Sequence, residues 1–328
     1  MTEPTTTGPT TAEPTTAGPT TAGPTTTGPI TGEQHALIAG PYQAVVTEAG
    51  AALRELTHEG RPLVLAHGAG ENAPAASGQL LAPWPNRLDR GRYAYGGATH
   101  RLDVSDPDHD CAIHGLVRWA PWRAVLREPD RVRLRHRLLG TAGYPFRLDL
   151  DVEYALSEGE GLTVRLTASN RGDVTAPYGH GAHPYLTVGV PIDACTVTFL
   201  ADRYLPVGPR KLPSGPPLDV TGTDRDLRTG PLLGDRLIDN TFTGLARDGD
   251  GRATVTLAGA GRAVALWSDE AHPWTQIYTA EEAAEPRAGL AVEPMTCPPN
   301  AFVSGEDVIE LAPGAAFTGT WGIQAVAP

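Results

Sequence analysis

Polar side chains able to carry acid–base chemistry fall in five short segments, several of them rich in proline and aromatic residues. The segments are 83–87, 110–115, 179–185, 237–242 and 292–302. An imidazole and a carboxylate are the usual general acid and base near neutral pH, while arginine, asparagine and aspartate hold hydroxyl groups by directed hydrogen bonds. Together the segments contain all of these types, a combination typical of a sugar-binding site.

Glu293 has the strongest signal among these side chains. It comes directly after the apolar run 290–292 and before Pro294. A carboxylate in this position is expected at the buried end of a strand, where an unpaired charge is costly. We therefore expect Glu293 to be buried among donors such as Arg87 or backbone N–H groups.

The other candidates have structural alternatives that their residue types leave open. Arg87 could form a surface ion pair, and Asp239 with the asparagine after it could make a turn. His114 and His183 could be hydrogen-bonded structural histidines.

A metal site is a weaker hypothesis. His180 and His183 are three positions apart and could be combined with His109, His114 or Glu293. On an extended segment this spacing points the two rings to opposite faces. We therefore predict no metal ion.

The elements that must position these side chains are predicted to be strands. Apolar residues alternate with mostly polar ones from Phe146 to Leu156 and from Leu162 to Ala168, with a glycine-containing segment between them. This pattern predicts an antiparallel hairpin. The same alternation recurs at 132–138, 253–257, 264–266 and 317–323. No long amphipathic helix is predicted, and 31 Pro and 38 Gly between such runs favour an all-β sandwich.

The N-terminal segment differs from the rest of the chain. Proline recurs every fifth residue from Pro4 to Pro29, with threonine and glycine between. Such a segment buries too little apolar surface to offset its ordering entropy. We predict a disordered tail over 1–33 and one domain over 34–328.

Charge and composition exclude several function classes. A net charge of −12 argues against nucleic acid or an anionic membrane surface as partner and more easily accommodates a small neutral or cationic ligand. Lys211 is the only lysine, so a Schiff-base enzyme has one candidate and a phosphate-binding GxxxxGK[ST] loop is absent. The GxSxG and well-placed GxGxxG motifs of serine hydrolases and dinucleotide-binding proteins are also absent.

The cysteines predict neither a disulfide framework nor a zinc site. Cys111, Cys195 and Cys297 are odd in number, widely spaced and outside any CxxC pair. We read them as buried structural thiols, a usage that fits a reducing cytoplasm.

No apolar run has the length of a membrane span. The sequence leaves monomer and dimer open.

Five motifs in order resemble the aldose 1-epimerase (galactose mutarotase) family, and the resemblance covers nearly the whole chain after the tail. The motifs are Asn86-Arg87, His114-Gly115, His183-Pro184-Tyr185, Asp239-Asn240 and Glu293-Pro294. The resemblance implies a galactose mutarotase-like β-supersandwich of antiparallel sheets and a reaction without a cofactor. It also implies that His183 is the general acid and Glu293 the general base. The sugar-binding residues would be Asn86, Arg87, His114, Tyr185 and Asp239.

One departure from the family pattern leaves the sugar open. In the commonest galactose mutarotase pattern the motif histidine is followed by two glycines, whereas Leu116 follows His114-Gly115 here. This looks closer to bacterial branches that include sulfoquinovose and hexose-6-phosphate epimerases. An anionic sugar would need a further cation, for which Arg118 is the candidate, although an arginine at such a position more often faces solvent. A noncatalytic carbohydrate-binding sandwich is the third hypothesis, but it would need neither His183 nor Glu293 as acid and base.

Overall fold

The computed structural model describes residues 1–2 and 28–328. The predicted disordered tail therefore falls largely outside the described residues. Close to its end, Thr31 is buried and its hydroxyl donates to the carbonyl of Ala69 at 2.7 Å. The polypeptide packs against the domain from this point on.

Strands make up nearly all of the regular structure. In chain order they are β1 (Gln34–Ala39), β2 (Tyr42–Thr47), β3 (Leu53–His58), β4 (Arg61–Pro62), β5 (Leu80–Leu81), β6 (Arg87–Asp89), β7 (Arg92–Tyr95), β8 (Ala98–Arg101), β9 (Cys111–Ile113), β10 (Arg123–Glu128), β11 (Arg131–Leu138), β12 (Leu148–Ser157), β13 (Gly161–Asn170), β14 (Ala176–Tyr178), β15 (Gly181–Ala182), β16 (Tyr185–Leu186), β17 (Thr196–Phe199), β18 (Ala201–Tyr204), β19 (Leu218–Asp219), β20 (Asp239–Leu245), β21 (Ala253–Gly259), β22 (Arg262–Ser268), β23 (Trp274–Tyr278), β24 (Leu290–Met295), β25 (Ile309–Leu311) and β26 (Ala316–Val326).

Helices are few and short in the described residues. The one α-helix is α1 (Ala301–Ser304), and 3₁₀ turns occur at Pro74–Ala76, Pro107–His109 and Ile192–Ala194. The expectation of no long amphipathic helix is confirmed for this part of the chain. Within it, none of the helices combines the length and apolar character that a membrane crossing requires.

An eight-stranded antiparallel sheet contains the strands that the alternating pattern predicts. Its order is β10-β11-β12-β13-β26-β22-β21-β17. Along β12 the apolar side chains Leu148, Leu150 and Val152 are fully buried, while the acidic residues between them are partly exposed. The predicted hairpin is β12–β13 in register, with Ser157 opposite Gly161. Phe146 is buried but precedes the strand, which begins after Pro145-Phe146-Arg147.

The outer face of this sheet carries a ladder of charges. Arginines of β11 lie beside carboxylates of β12, as in the pairs Arg133–Glu153 at 2.6 Å and Arg135–Asp151 at 2.8 Å. Such surface pairs contribute about 0–1 kcal/mol each. The ladder therefore keeps this face solvated more than it stabilises the fold.

A second eight-stranded sheet has the order β19-β18-β20-β23-β24-β15-β5, with β16 also pairing with β24. Its central strand β24 is buried along its whole length and carries Glu293. The four-stranded sheet β1-β2-β3-β4 adds a further layer. Apolar residues of all three sheets share one continuous core, for example Leu37, Val152 and Val292. This arrangement confirms the predicted all-β sandwich of antiparallel sheets.

The centre of the first sheet requires a glycine at position 322. An added Cβ there would lie 2.5 Å from the carbonyl oxygen of Leu162 and 2.5 Å from the Trp267 ring. We expect Gly322→Ala to lower the free energy of unfolding by about 1–3 kcal/mol, because neither backbone nor indole can retreat in a packed core. Urea denaturation measures this change. Gly159→Ala is the matched control, since nothing lies within 4 Å of its added Cβ, and an equal loss in both variants would contradict the steric explanation.

Candidate active site

An open cleft of about 380 Å³ lies where the ends of the second sheet meet the loops around β6 and β9. All seven residues predicted for the site line it, namely Asn86, Arg87, His114, His183, Tyr185, Asp239 and Glu293. They come from parts of the chain more than 200 residues apart. Their roles in binding or catalysis stay predictions, but the fold does bring them together.

His183 and Glu293 form a buried pair at the base of the cleft. Strand β24 pairs with β15 and β16 on either side of His183, with Gly181 opposite Met295 and Tyr185 opposite Ala291. His183 Nε2 lies 3.3 Å from Glu293 Oε1, and the two side chains are 6% and 3% exposed. Glu293 is therefore buried as expected, but its contact is an imidazole.

Burial shifts both groups of this pair toward their neutral forms. It raises the pKa of Glu293 well above the usual value, and the Asp239 carboxylate acts in the same direction while Arg87 opposes it. Burial lowers the pKa of His183 to about 3, and the positive charges of Arg118 and Arg87 add to this effect. Both shifts therefore favour a neutral carboxyl and a neutral imidazole over an ion pair.

His114 is held as a hydrogen-bond donor to the cleft. The backbone N–H of Asn86 donates to His114 Nδ1 at 3.1 Å, so the proton of the neutral ring lies on Nε2. The ring meets that of His183 edge to face, with centroids 5.2 Å apart. Asn86 and His114 both have a positive φ, of 53° and 61°, a conformation that asparagine and histidine adopt more readily than most residues.

Gly115 explains why the histidine motif needs a glycine. Its φ is 72°, and an added Cβ would overlap the carbonyl oxygen of Ala82. The turn of His114 and Gly115 packs directly on the β5 end, where Leu116 N donates to Ala82 O at 2.7 Å. Backbone geometry therefore fixes the direction of the His114 ring.

The three groups His114, His183 and Glu293 offer ligand atoms within 4.8 Å of one another, a spacing that a metal ion could use. The donor set fits a metal poorly, because the Asn86 hydrogen bond leaves His114 Nε2 protonated and facing the cleft. An N–H in this position suits a hydroxyl oxygen. The chemistry of these residues therefore favours hydrogen bonding to a sugar over coordination of an ion.

His180 lies on the other side of the segment from His183, as its spacing predicts. It packs against Phe317 and His272, with ring centroids 5.9 Å and 5.2 Å away. Neither of its ring nitrogens has a hydrogen-bond partner among the described residues. His180 is therefore a core residue and contributes nothing to the cleft.

Arg87 is anchored by a residue that the sequence analysis missed. Its Nε donates to Asp106 Oδ2 at 2.7 Å, and His109 Nδ1 lies 3.0 Å from the same carboxylate. The expectation that Arg87 would contact Glu293 is wrong. The positive charge of the guanidinium only offsets part of the rise in the pKa of Glu293.

Asp239 begins β20 and has both carboxylate oxygens occupied. Gln276 Nε2 donates to Oδ1 at 2.6 Å and Lys211 Nζ donates to Oδ2 at 2.8 Å. Gln276 sits in β23 directly opposite Glu293 of β24. The Asn240 side chain does not line the cleft: it binds the carbonyl of Leu205 at 3.0 Å.

Tyr185 supports the imidazole of His183. Its ring stacks on that of His183, with centroids 5.1 Å apart and an angle of 22° between the planes. Its hydroxyl donates to the carbonyl of Ala75 at 3.3 Å. The stack fixes the plane in which His183 Nε2 faces Glu293.

Arg118 lines the cleft and is half-buried. The alternative that Arg118 faces solvent is therefore wrong. Its guanidinium lies 5.8 Å from the centre of the Trp119 ring. Among residues 28–328 no carboxylate lies within ion-pair distance of it, whereas Arg87 has Asp106.

The cysteines lie outside the cleft. Cys111, Cys195 and Cys297 are all buried and none forms a disulfide. Burial raises the pKa of the Cys297 thiol to about 12, so it stays protonated. This agrees with the interpretation of Cys111 and Cys297 as structural thiols beside site motifs.

Comparison with known protein families gives one match across the domain. Residues 34–324 match the family model described as aldose 1-epimerase. The chain is 37% identical over 285 residues to the uncharacterised protein YihR of Escherichia coli K12, covering 87% of this chain and 90% of that one. It is 30% identical over 220 residues to galactose mutarotase of Mus musculus, covering 62% and 61% of the two chains.

Solved structures agree on the fold. A GalM/aldose epimerase homologue from C. elegans superposes with a TM-score of 0.80 at 18% identity, covering 90% of this chain and 99% of that one. Galactose 1-epimerase from Lactobacillus acidophilus superposes with a TM-score of 0.74 at 21% identity, covering 88% and 92%. The fold is therefore the galactose mutarotase-like supersandwich.

The buried histidine His180 generates a prediction about acid stability. Burial lowers the pKa of His180 well below its usual value, and the charge of His272 acts in the same direction. The unfolded chain therefore binds more protons than the folded one below about pH 6.5. The free energy of unfolding consequently decreases as the pH is lowered from 6.5. We expect His180→Met to remove about 2 kcal/mol of the loss between pH 6.5 and 5, measured by urea denaturation.

The same experiment at pH 8 is the internal control. There the histidine is neutral in both states, so any difference between the variant and the wild type reports packing alone. Parallel pH profiles for the two proteins between pH 8 and 5 would contradict the titration argument.

Proposed function

The chain belongs to the aldose 1-epimerase family, and we propose that it interconverts the α and β anomers of a free aldose such as glucose or galactose. The observation that carries the proposal is the buried contact of 3.3 Å between His183 Nε2 and Glu293 Oε1 inside a cleft lined by hydroxyl-binding groups. Ring opening of a cyclic hemiacetal needs one base and one acid at adjacent oxygens, and this pair offers both.

Glu293 removes the proton of the C1 hydroxyl while His183 gives a proton to the ring oxygen. The ring opens to the aldehyde, rotation about C1–C2 presents the other face, and the ring oxygen closes on it. Glu293 then gives its proton to the C1 oxygen and His183 takes back the proton that it gave to the ring oxygen, so that the opposite anomer leaves and the protein is unchanged. Each well-placed acid or base contributes about 10²–10⁴-fold to such a reaction.

The opposed pKa shifts of the two groups suit this cycle. Transfer of the proton from Glu293 to His183 along their contact produces the carboxylate and imidazolium from which opening starts. Burial makes both ions costly, so neither is stabilised so strongly that it fails to exchange its proton. Sugar hydroxyls that donate to the carboxylate and accept from the imidazolium offset that cost when the substrate binds.

The remaining residues hold the sugar. His114 Nε2–H and the Arg87 guanidinium are donors, while the Asp239 carboxylate is an acceptor for hydroxyl groups. Each is anchored by a separate partner: the Asn86 backbone, Asp106 and Gln276 respectively. Such preorganisation keeps the reacting oxygens beside the acid and base.

An anionic sugar is the second candidate. Arg118 favours it, because its half-buried guanidinium faces the cleft without a carboxylate partner in the described residues. A phosphate or sulfonate would satisfy its donors by charge-assisted hydrogen bonds. Hexose 6-phosphate and sulfoquinovose carry such groups.

We expect Glu293→Gln to lower the catalysed rate of anomer interconversion about 10²–10⁴-fold, because glutamine cannot take the C1 proton. The measurement is the approach of freshly dissolved α-glucose and α-galactose to anomeric equilibrium, by polarimetry or NMR. Glu128→Gln, which changes an exposed carboxylate on β10, serves as the control and should match the wild type.

A full rate in Glu293→Gln would refute the proposed mechanism. A wild-type protein that accelerates neither sugar, and fails with the anionic sugars as well, would instead favour the noncatalytic carbohydrate-binding hypothesis.

The anionic candidate has its own test in Arg118→Met. A hydrogen bond to a charged group contributes enough that its loss should lower kcat/KM for sulfoquinovose or glucose 6-phosphate about 10–100-fold. The same variant should keep its rate with glucose within about threefold, since a neutral hydroxymethyl group gains little from the guanidinium. Equal losses of kcat/KM on neutral and anionic sugars would show that Arg118 supports the cleft but does not recognise an anionic group.

A further inference from the structure

The loop 206–214 connects the cleft residue Asp239 to the region of β6 and β9 through two adjacent cationic residues. It follows β18 and is closed by its own backbone hydrogen bonds, from Gly208 to Leu212, from Lys211 to Gly208 and from Ser214 to Pro206, each of 2.8–2.9 Å. The side chains at its tip, Arg210 and Lys211, bind opposite walls. We refer to this segment as the bridging loop.

Arg210 ties the bridging loop to the wall formed by β6 and β9. Its Nη1 donates to Asp89 Oδ1 at 2.6 Å, and its other nitrogens reach the carbonyls of His109 at 3.0 Å and Asp110 at 2.6 Å. None of these three partners lines the cleft. Arg210 therefore anchors the loop without touching a candidate site residue.

Lys211 ties the same loop to the sugar-binding wall. Its ammonium donates to Asp239 Oδ2 at 2.8 Å and lies 4.0 Å from Glu282. Since Gln276 already holds Oδ1, the lysine completes the fixation of the carboxylate. Lys211 is the one lysine of the chain, and its side chain is 29% exposed where it packs against a residue that lines the cleft.

We propose that Lys211 is a positioning residue, which orients the Asp239 carboxylate for sugar binding and balances its charge so that Glu293 can act as a base. The proposal rests on the proposed function. Lys211 needs no contact with the sugar in this role, because it acts through Asp239.

The charge-balancing part follows from the groups that face one another across the cleft. The ionisable neighbours of Asp239 and Glu293 are Lys211, Glu282, Arg87, His114, His183, Tyr185 and Tyr278. Asp239 raises the pKa of Glu293 by like-charge repulsion. Loss of the lysine leaves Asp239 uncompensated, so the pKa of Glu293 rises further and its basic form is lost at a higher pH.

We expect Lys211→Met to lower kcat/KM about 10–100-fold at pH 7, chiefly through KM, because a misoriented Asp239 weakens binding before and during reaction. The acid limb of the kcat/KM profile should also move to higher pH by at least about half a unit. Lys211→Arg keeps the charge and should restore the limb, with activity within about threefold of the wild type.

Arg210→Met is the matched control, since it loosens the same loop from the opposite wall. It should leave the acid limb in place and the rate near that of the wild type. An equal shift of the limb in Arg210→Met and Lys211→Met would overturn the proposal, because the lysine would then be a loop anchor only.

A readout without activity separates this proposal from the proposed function. With isotope-labelled lysine the protein gives one lysine side-chain signal, whose titration reports Lys211 directly. Burial lowers the pKa of Lys211, but the hydrogen bond and charge of Asp239 outweigh this and raise it overall. We expect Asp239→Asn to lower this pKa clearly. An unchanged pKa would overturn the pairing, whatever the protein does to sugars.

Discussion

The rest of this structure depends on one buried contact, which joins a carboxylate and an imidazole that are both removed from water. Taking either ion out of water is expensive, so the pair persists only where the surrounding backbone cannot relax. The central strand β24 meets this condition, since it is hydrogen-bonded to β23 on one side and to β15 and β16 on the other. His183 is held further, because its N–H and C=O both bind the segment 78–79.

The cleft around this pair is built by loops that take unusual backbone conformations. Asn86, His114 and Gly115 all have positive φ values, and they fold the chain back so that His114 and Arg87 face inward from strands that otherwise run past the site. Backbone strain of this kind persists where neighbouring structure over-determines it. Here two hydrogen bonds fix the conformation: Asn86 N–H donates to His114 Nδ1, and His114 N–H donates to the carbonyl of Asn86.

Local pattern was sufficient to predict the strands and the burial of Glu293. Alternation along β12 and β13 is a property of consecutive residues, and so is the apolar run before Glu293. The partners of the site residues were not predictable in this way. Gln276 reaches Asp239 because β23 pairs with β24 in one register, and Asp106 and Lys211 reach their partners across 19 and 28 residues. The expected Arg87 contact failed because a nearer carboxylate, Asp106, takes the guanidinium.

The charge ladder on the outer face of the first sheet makes the charge distribution of the molecule asymmetric. Strands β11 and β13 present five arginines there, Arg131, Arg133, Arg135, Arg137 and Arg165, against three carboxylates on β12, whereas the whole chain has a net charge of −12. The surplus of negative charge must therefore lie elsewhere in the chain. A neutral aldose diffuses toward the protein without bias, but a phosphorylated or sulfonated sugar is repelled by the net negative charge of the chain before it meets Arg118. For such a ligand, added salt would screen the repulsion at long range and quicken its arrival.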